Sequence, residues 1–212
     1  MDSPEDPMKT ITMPPVWFRL PPGFHHISPE DRASVDFVAD ALGSPDARQQ
    51  LSQIMDKLDE LTHHDVVHTS VGLHPGESDD LCTSLFSLTG RLSPYSDPRL
   101  GVARTALAIA GSTLWNSSAC RFIDLPSQQP CAMVAGSIKL PEQKQEMFQA
   151  RVSMQHPTDP YLLILDLTSA ATVHADAYTD IIEAVAYTVS AIDPTPTAPD
   201  GPNTSRILEV LL

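Results

Sequence analysis

A series of strand-like segments joined by short turns is the feature that most limits how this chain can fold. Residues 148–155 alternate between apolar and polar side chains, which is the pattern of a strand with one face in the core and one in water. A proline-containing turn at 156–160 leads into residues 161–168, which are apolar on both faces and predict a central strand. Because turns this short join antiparallel neighbours, the sequence predicts an antiparallel sheet.

Further strand patterns occur earlier in the chain. Residues 67–73 and 81–91 flank a polar turn, which predicts a β-hairpin with a longer loop. Strands are also predicted at 119–125 and 132–140. A short apolar strand is expected at 14–24, where the flanking prolines would restrict it to a sheet edge or a lead-in.

Four helices are predicted between and after these strands. Serine–proline pairs begin two of them, at 28–43 and 44–62, and Asp97 with Pro98 begins a third. Since strands and helices do not alternate regularly, we expect an α+β fold, an antiparallel sheet covered by helices. The core-facing stripes predicted for the third and fourth helices are, respectively, Leu100, Ala103, Leu107, Ala110 and Leu114, and Tyr178, Ile181, Ile182, Val185, Ala186, Val189 and Ile192.

The chain of 212 residues has a length that suits one domain with tails. We expect a flexible tail at 1–13, a single α+β domain at 14–193, a proline-rich linker at 194–205 and an apolar segment at 206–212. The domain is expected to be monomeric or weakly associating. Translation could begin at Met1 or at Met8.

Composition argues against several classes of partner. The net charge is −14, with 13 basic residues, whereas nucleic-acid binding needs basic surface to replace phosphate counterions. An acidic, proline-broken beginning predicts no secretion signal, and no apolar run is long enough for a membrane span. Cys82, Cys120 and Cys131 each lie in a strand-like run, so we expect buried thiols in a reducing cytoplasm.

A set of aromatic, proline and glycine positions resembles a known family. The set comprises the opening at 17–24 (Trp-Phe-x-Leu-Pro-Pro-Gly-Phe), the turn at 156–160, a strand ending at Thr168, and a closing helix with Ile181 and Ile182. Over residues 14–193 it is similar to small, mostly uncharacterised actinobacterial proteins assigned the PsbP-like α/β/α sandwich. The resemblance implies an accessory or binding role and supplies no catalytic residues.

Histidines are the first candidates for a metal site. His64 and His68 would share a helix face, but the helix pattern ends near Thr62 and a strand begins. On a strand the two would lie about 13 Å apart, too far for one ion. His63 adjoins this pair, and His25–His26 is predicted to be a loop pair. We therefore expect no tightly bound metal.

Catalytic and cofactor motifs are also missing from the sequence. Neither Gly111–Ser112 nor Gly136–Ser137 lies in the G-x-S-x-G pattern of a nucleophile elbow, and no dinucleotide-binding or P-loop motif occurs. Asp166 interrupts an apolar strand, and we expect it to pair with a neighbouring arginine such as Arg121 or Arg151, because a buried acid must be paired or neutral. No catalytic residue and no cofactor are predicted.

The remaining feature is the apolar segment after the linker. Its large side chains are expected either to dock on the chain's own sheet edge or to bind a protein partner; the alternative is an idle end. The predicted function is a non-enzymatic protein-binding or accessory module, and the alternative is a small-molecule-binding protein or an enzyme with an unrecognised cleft. The partner-binding residues predicted are Ile207, Leu208, Val210, Leu211 and Leu212.

Overall fold

The computed structural model describes four parts of the chain, residues 13–28, 65–75, 81–139 and 146–194. Several predicted features lie outside the described residues. They are the N-terminal tail, the helices at 28–43 and 44–62, His63 and His64, the linker after Pro194, and the segment 206–212.

Seven strands form one sheet, in which every neighbouring pair is antiparallel. The order across the sheet is β1-β2-β3-β7-β6-β5-β4. The predicted antiparallel sheet and the β2–β3 hairpin are therefore confirmed, and β7 is central as expected. The strands are β1 Phe24–His26, β2 Val66–Pro75, β3 Leu81–Leu92, β4 Trp115–Phe122, β5 Cys131–Lys139, β6 Glu146–Gln155 and β7 Tyr161–Ser169.

Two helices pack on opposite faces of the sheet, α1 at Pro98–Ala110 and α2 at Ala175–Tyr187. The sheet face under α2, the α2 face, carries the larger apolar core, and the other, the α1 face, carries a smaller one. As predicted, Asp97 begins α1, since its carboxylate accepts a hydrogen bond from the backbone N–H of Arg99 at 2.9 Å. The architecture is thus an α+β fold in which the sheet predominates. No helix in the described parts of the chain is both long and apolar enough to cross a membrane.

The predicted core-facing stripe of α1 is wrong at its leucines, whereas Ala110 of the same stripe packs against the core. The helix buries Val102, Ala106 and Gly101 against the sheet, whereas Leu100 is 44% exposed and Leu107 is 68% exposed. Small side chains allow the helix to lie close to the sheet, and a pattern based on the largest residues therefore selected the opposite side. Leu114 lies beyond the end of the helix.

The predicted wet face of β6 is also wrong. Gln149, Ser153 and Gln155 are buried although they point away from the α2 face. Their polar groups have partners, which is why burial is tolerated: the Gln155 amide donates to the Asp159 carbonyl at 2.7 Å, and the Ser153 hydroxyl contacts the Ala132 carbonyl at 3.4 Å. Hydrogen-bonded polar side chains thus imitated a solvent-facing pattern in the sequence.

The lead-in at 14–24 forms a single bridge instead of the predicted strand. Trp17 pairs with Ser190 beyond α2 through two backbone hydrogen bonds of 2.8 Å, and the prolines around it cannot donate to a ladder. The edge strand forms after the prolines, as β1, and it contains His25 and His26, which were predicted to lie in a loop. Phe18 of this segment packs on the core beside Phe86.

The closing helix keeps most of its predicted stripe. Tyr178, Ile182 and Val185 are buried against the sheet. The prediction fails at its end, because α2 stops at Tyr187, and Ile192 is 78% exposed beyond it.

Candidate protein-binding edge

The strand β4 forms one edge of the sheet, and no described segment pairs with its outer side. In the described part of the chain it pairs only with β5, and its residues 116–122 are all exposed. The other edge strand, β1, is only three residues long. We call residues Trp115–Phe122 the β4 edge, the longer of the two edges of the sheet.

The outward backbone groups of this edge follow from its ladder. Just past the strand, the Ile123 N–H donates to the Cys131 carbonyl at 3.0 Å, in the same register as β4 and β5. Inward and outward pairs alternate in an antiparallel ladder, so Ala119 and Arg121 bond β5. The alternate residues of the strand direct their N–H and C=O groups away from the sheet; these are Ser118, Cys120 and Phe122.

The two faces of the β4 edge differ in chemistry. Arg121 lies on the α2 face, where its guanidinium forms an ion pair with Glu183 of α2. Phe122 lies on the α1 face, opposite Ala132, and its ring is 68% exposed. One face therefore presents a charge and the other an apolar surface.

Exposed leucines of α1 extend the apolar character of the α1 face. Leu100 and Leu107 point away from the sheet on the helix that packs over β4, β5 and β6. Single exposed apolar residues are normal, but exposed leucines and an exposed phenylalanine on the same side of the sheet as an exposed edge strand make this side a candidate interaction surface.

Local contacts hold the edge in place. A bulge separates Trp115 from the regular ladder, and the Trp115 indole donates to the Ile109 carbonyl of α1 at 2.7 Å. At Gly136 of β5 the backbone of β4 approaches closely, since a Cβ there would lie 2.0 Å from the Ser117 carbonyl oxygen. Glycine is therefore required at this position for β4 to keep its present register.

The expected partner of Asp166 is confirmed. Its carboxylate pairs with the Arg151 guanidinium on β6 and accepts hydrogen bonds from the Gln149 amide at 3.1 and 3.2 Å. The Thr168 hydroxyl also donates to it at 2.9 Å. With its lone pairs satisfied, this carboxylate has the arrangement of a structural ion pair within the sheet.

The histidines His26 and His68 lie together on the α2 face, with ring centroids 4.7 Å apart. Burial, and secondarily the proximity of His26, lower the pKa of His68 to about 4, so its ring is neutral at pH 7. The His68 Nε2 contacts the Ser70 hydroxyl at 2.7 Å, but Ser70 is 1% exposed, and a substrate could not reach it. The pair lies at the margin of the core, because His26 is exposed and His68 is only partly buried.

A second histidine group lies further along the α2 face. His74 contacts the Ser84 hydroxyl at 3.4 Å and lies near the Tyr178 ring, and His174 approaches the same ring. Burial, followed by the proximity of His174, lowers the pKa of His74, and burial raises the pKa of Tyr178. The described residues contain no group of three or more His, Cys, Asp or Glu side chains that could hold a metal ion.

His156 has a structural position in the turn between β6 and β7. Its Nδ1 accepts hydrogen bonds from the backbone N–H groups of Thr158 and Asp159 at 3.3 and 3.2 Å. The other ring nitrogen must then carry the proton, and it donates to the Pro15 carbonyl at 3.2 Å. The ring thereby fixes the N-terminal lead-in to the turn predicted from the sequence.

Two depressions among the described residues are candidate small-molecule clefts. One, of about 310 Å³, lies between the start of α2 and strands β5 and β6, and includes Phe148 and Asp176. The other, of about 390 Å³, lies beside His156 and Tyr95. Both are wide open to solvent and at the small end of ligand pockets, which usually enclose most of their ligand.

The cysteines are all unpaired, as expected, but one prediction about them is wrong. Cys131 is buried, and burial raises the pKa of its thiol to about 12. Cys120, which was expected to be buried, is exposed because no described element covers the α1 side of β4 at its position.

Sequence reasoning missed the β4 edge. It predicted a strand at 119–125, but β4 begins at Trp115 and ends at Phe122. A usable signal was present in residues 116–120, which are small or polar on both faces and are typical of an uncovered strand. The residues that the sequence did select for partner binding, Ile207, Leu208, Val210, Leu211 and Leu212, lie outside the described residues.

Comparison with known proteins gives only distant similarities. No model of a protein family matches the chain, and no curated protein matches it in sequence. Among solved structures it is similar to LpqN, involved in cell envelope biogenesis of Mycobacterium tuberculosis, with a TM-score of 0.49, 11% identity and 86% of each chain covered. It is also similar to PA94 of Pseudomonas aeruginosa, a protein of unknown function, with a TM-score of 0.41, 14% identity, and 61% of this chain and 84% of that chain covered. Similarities this distant carry no argument about function.

Proposed function

We propose that the protein is a non-enzymatic binding or accessory module that pairs the β4 edge with an extended segment of a partner protein. The observation that carries this proposal is the run of exposed residues at 116–122 on a strand whose outer side pairs with no segment that the structure describes. Adding a strand to such an edge is a common mode of peptide recognition.

The binding energy would come from two sources. Three outward residues offer three N–H and three C=O groups, and each hydrogen bond contributes about 0.5–1.5 kcal/mol net. Covering the exposed Phe122 ring would add about 1.5–3 kcal/mol. Since ordering a partner segment costs roughly 1–2 kcal/mol per residue, we expect a reversible complex.

The specificity of the partner would follow from the two faces of the edge. Alternate side chains of an added strand point to opposite faces. A partner segment with apolar residues at alternate positions would cover Phe122 and Cys120 on the α1 face. A carboxylate between those positions would lie beside Arg121 on the α2 face.

The alternative is a small-molecule-binding protein or an enzyme with an unrecognised cleft. A deep apolar pocket with converging polar groups would support it. The two described depressions are open and shallow, and the Ser70 hydroxyl that contacts His68 is buried. We therefore favour the protein-binding function.

Two further proposals concern fold family and location. Helices on both faces of an antiparallel sheet support assignment to the PsbP-like sandwich and the related actinobacterial proteins. Three unpaired cysteines, including the exposed thiol of Cys120, support a reducing cytoplasm. A monomer or weak oligomer, with no nucleic-acid partner, is consistent with the net charge of −14.

Affinity purification of the tagged protein from its own host tests the binding function. The informative variant is Cys120→Pro, because proline removes an outward N–H of β4 and leaves the inward ladder to β5 in place. We expect the wild-type protein to retain a stoichiometric partner. The Cys120→Pro variant should retain at least tenfold less of that partner.

The matched control is Cys120→Ala, which removes the thiol and keeps the N–H group. It should retain the partner as well as wild type does. Equal capture by wild type and a folded Cys120→Pro variant would contradict binding at this edge, with circular dichroism used to confirm folding.

A further inference from the structure

We propose that the β4 edge binds residues 207–212 of the same chain, as an added antiparallel strand that competes with the partner. This inference rests on the proposed function, because it concerns regulation of the same edge. Three observations carry it: the direction in which α2 leaves the sheet, the length of the linker, and the match between the two sequences.

The direction of α2 brings the chain to the correct end of β4. Near its start, Thr179 shares a depression with Ser137, which pairs with Ser117 of β4. Further along, Glu183 pairs with Arg121. The helix therefore runs in the same direction as β4. Its last residue, Tyr187, is four residues after Glu183 and so lies about 6 Å further along the helix axis, at about 1.5 Å per residue. A segment returning from there along β4 is antiparallel to it.

The linker is long enough to allow this return. Residues 194–205 contain four prolines and would favour an extended conformation. At about 3.1 Å per residue they reach roughly 37 Å, which exceeds the width of about 29 Å for a seven-stranded sheet at about 4.8 Å per strand. Reach alone would also allow β1, but β1 offers only three residues.

The match of side chains selects one register. Placing Glu209 opposite Arg121 pairs the acidic residue of the segment with the basic residue of β4. In the same register Leu208 lies opposite Phe122, and Val210 opposite Cys120. Because alternate residues of a strand face the same side, Leu208, Val210 and Leu212 all cover the exposed α1 face.

The hydrogen-bond pattern agrees with this register. The outward groups belong to even-numbered residues of β4, which are those that stand opposite Leu208, Val210 and Leu212. These become hydrogen-bonded pairs of an antiparallel ladder, and Glu209 with Arg121 becomes the closer, non-bonded pair. The segment would therefore occupy the same donors and acceptors that a partner needs.

Amide hydrogen exchange, resolved by residue, tests the proposal on the full chain and on a chain that ends at Ser205. We expect the amides of Ser118, Cys120 and Phe122 to exchange at least tenfold more slowly in the full chain. Amides of the inward residues Ala119 and Arg121 should change much less, because β5 already protects them.

Point variants test the register in the full chain. Glu209→Lys should accelerate exchange at the outward amides, because the new ammonium would lie against the Arg121 guanidinium. Asp200→Lys, the same kind of charge change placed in the linker outside the proposed pairs, is the matched control and should leave exchange unchanged. Equal effects of both variants would contradict the register.

The outcomes separate this inference from the binding function. Equal exchange at the outward amides in the full and shortened chains would overturn the inference. Slowing that depends on protein concentration would also overturn it, because it would indicate that a second copy covers the edge. Suppose that exchange is equal in the two chains and that the shortened chain binds a partner which its Cys120→Pro variant does not bind. The proposed binding function is then supported and the self-binding inference is not. If exchange is slowed in the full chain but the Cys120→Pro variant retains its partner, self-binding is supported and partner binding at the β4 edge is contradicted.

Discussion

At the scale of single residues, the sequence predicted contacts best where chemistry left little choice. Asp166 had to be paired because it interrupts an apolar strand, and Arg151 is its partner. Arg121, the other arginine considered, pairs with Glu183 instead, because its side chain lies on the opposite face of the sheet. The strand pattern of the sequence was sufficient to identify the two candidate arginines. Only the pairing of the strands shows which of them is the partner of Asp166.

The neighbourhood of His68 escaped prediction because it depends on two distant segments. The sequence grouped His68 with His64, whereas the sheet brings it beside His26 and under Phe18, more than 40 residues away in the chain. Pairing of β1 with β2 creates this contact, and no local pattern reveals which strands become neighbours.

We predict that His68 makes the stability of the protein depend on pH. Its pKa is about 4 in the folded state against 6.5 for the ordinary side chain, so the unfolded state binds more protons between these values. Stability is therefore lost as pH falls from about 6.5 to about 4. The shift corresponds to roughly 3 kcal/mol, which solvent screening of this half-buried ring reduces to about 1–2 kcal/mol.

Urea unfolding of His68→Gln at pH 7 and pH 4.5 measures this contribution. The variant should lose about 1–2 kcal/mol less than wild type over that interval. His25→Gln, at an exposed histidine on the neighbouring strand, should behave as wild type does. A variant that loses as much stability as wild type would show that His68 does not contribute.

At the scale of elements, the existence of strands was predicted more reliably than their surroundings. The hairpin and the central strand follow from alternation and composition alone. The failures concern coverage: α1 buries Val102 and Ala106 instead of its leucines, and β6 buries polar residues that a sequence pattern assigns to water. Coverage depends on how closely neighbouring elements approach, which side-chain size sets only after the topology is known.

We predict that Gly136→Ala detaches the β4 edge. A Cβ at this position would lie 2.0 Å from the Ser117 carbonyl oxygen and 2.7 Å from the Ser118 Cα, so the backbone of β4 must move. Overpacking of this kind costs about 1–3 kcal/mol. Exchange of the inward amides of Ala119 and Arg121 should accelerate by roughly 10–100-fold, at about 1.4 kcal/mol per factor of ten.

The control for this prediction is Gly111→Ala at the end of α1. Its Cβ would lie 3.2 Å from the Leu107 carbonyl, so the strain is smaller and falls on the end of α1 and not on the backbone of β4. Exchange in β4 should then match wild type. If Gly136→Ala also left the β4 amides unchanged, the close approach would not be what holds the edge.

At the scale of the whole molecule, the proposed binding at the β4 edge needs no catalytic motif, in agreement with the lack of such motifs in the sequence. Two polar groups of the described core have structural partners, the Asp166 network within the sheet and His156 in the turn between β6 and β7. In the proposed function the contacts would come from the backbone of β4 and from the exposed apolar residues of β4 and α1. Such a surface has no short sequence motif, because main-chain groups supply the contacts.

The central claim is that another protein binds at the β4 edge. Photocrosslinking in the native host tests it most directly, with a photoreactive benzophenone amino acid introduced at Cys120 and, as control, at Val173, which is 82% exposed on the segment before α2. The account predicts a discrete adduct with a second protein from position 120, mapped to an extended segment of that protein, and none from position 173. Adducts at position 173 alone, or the same adducts at both positions, would contradict it.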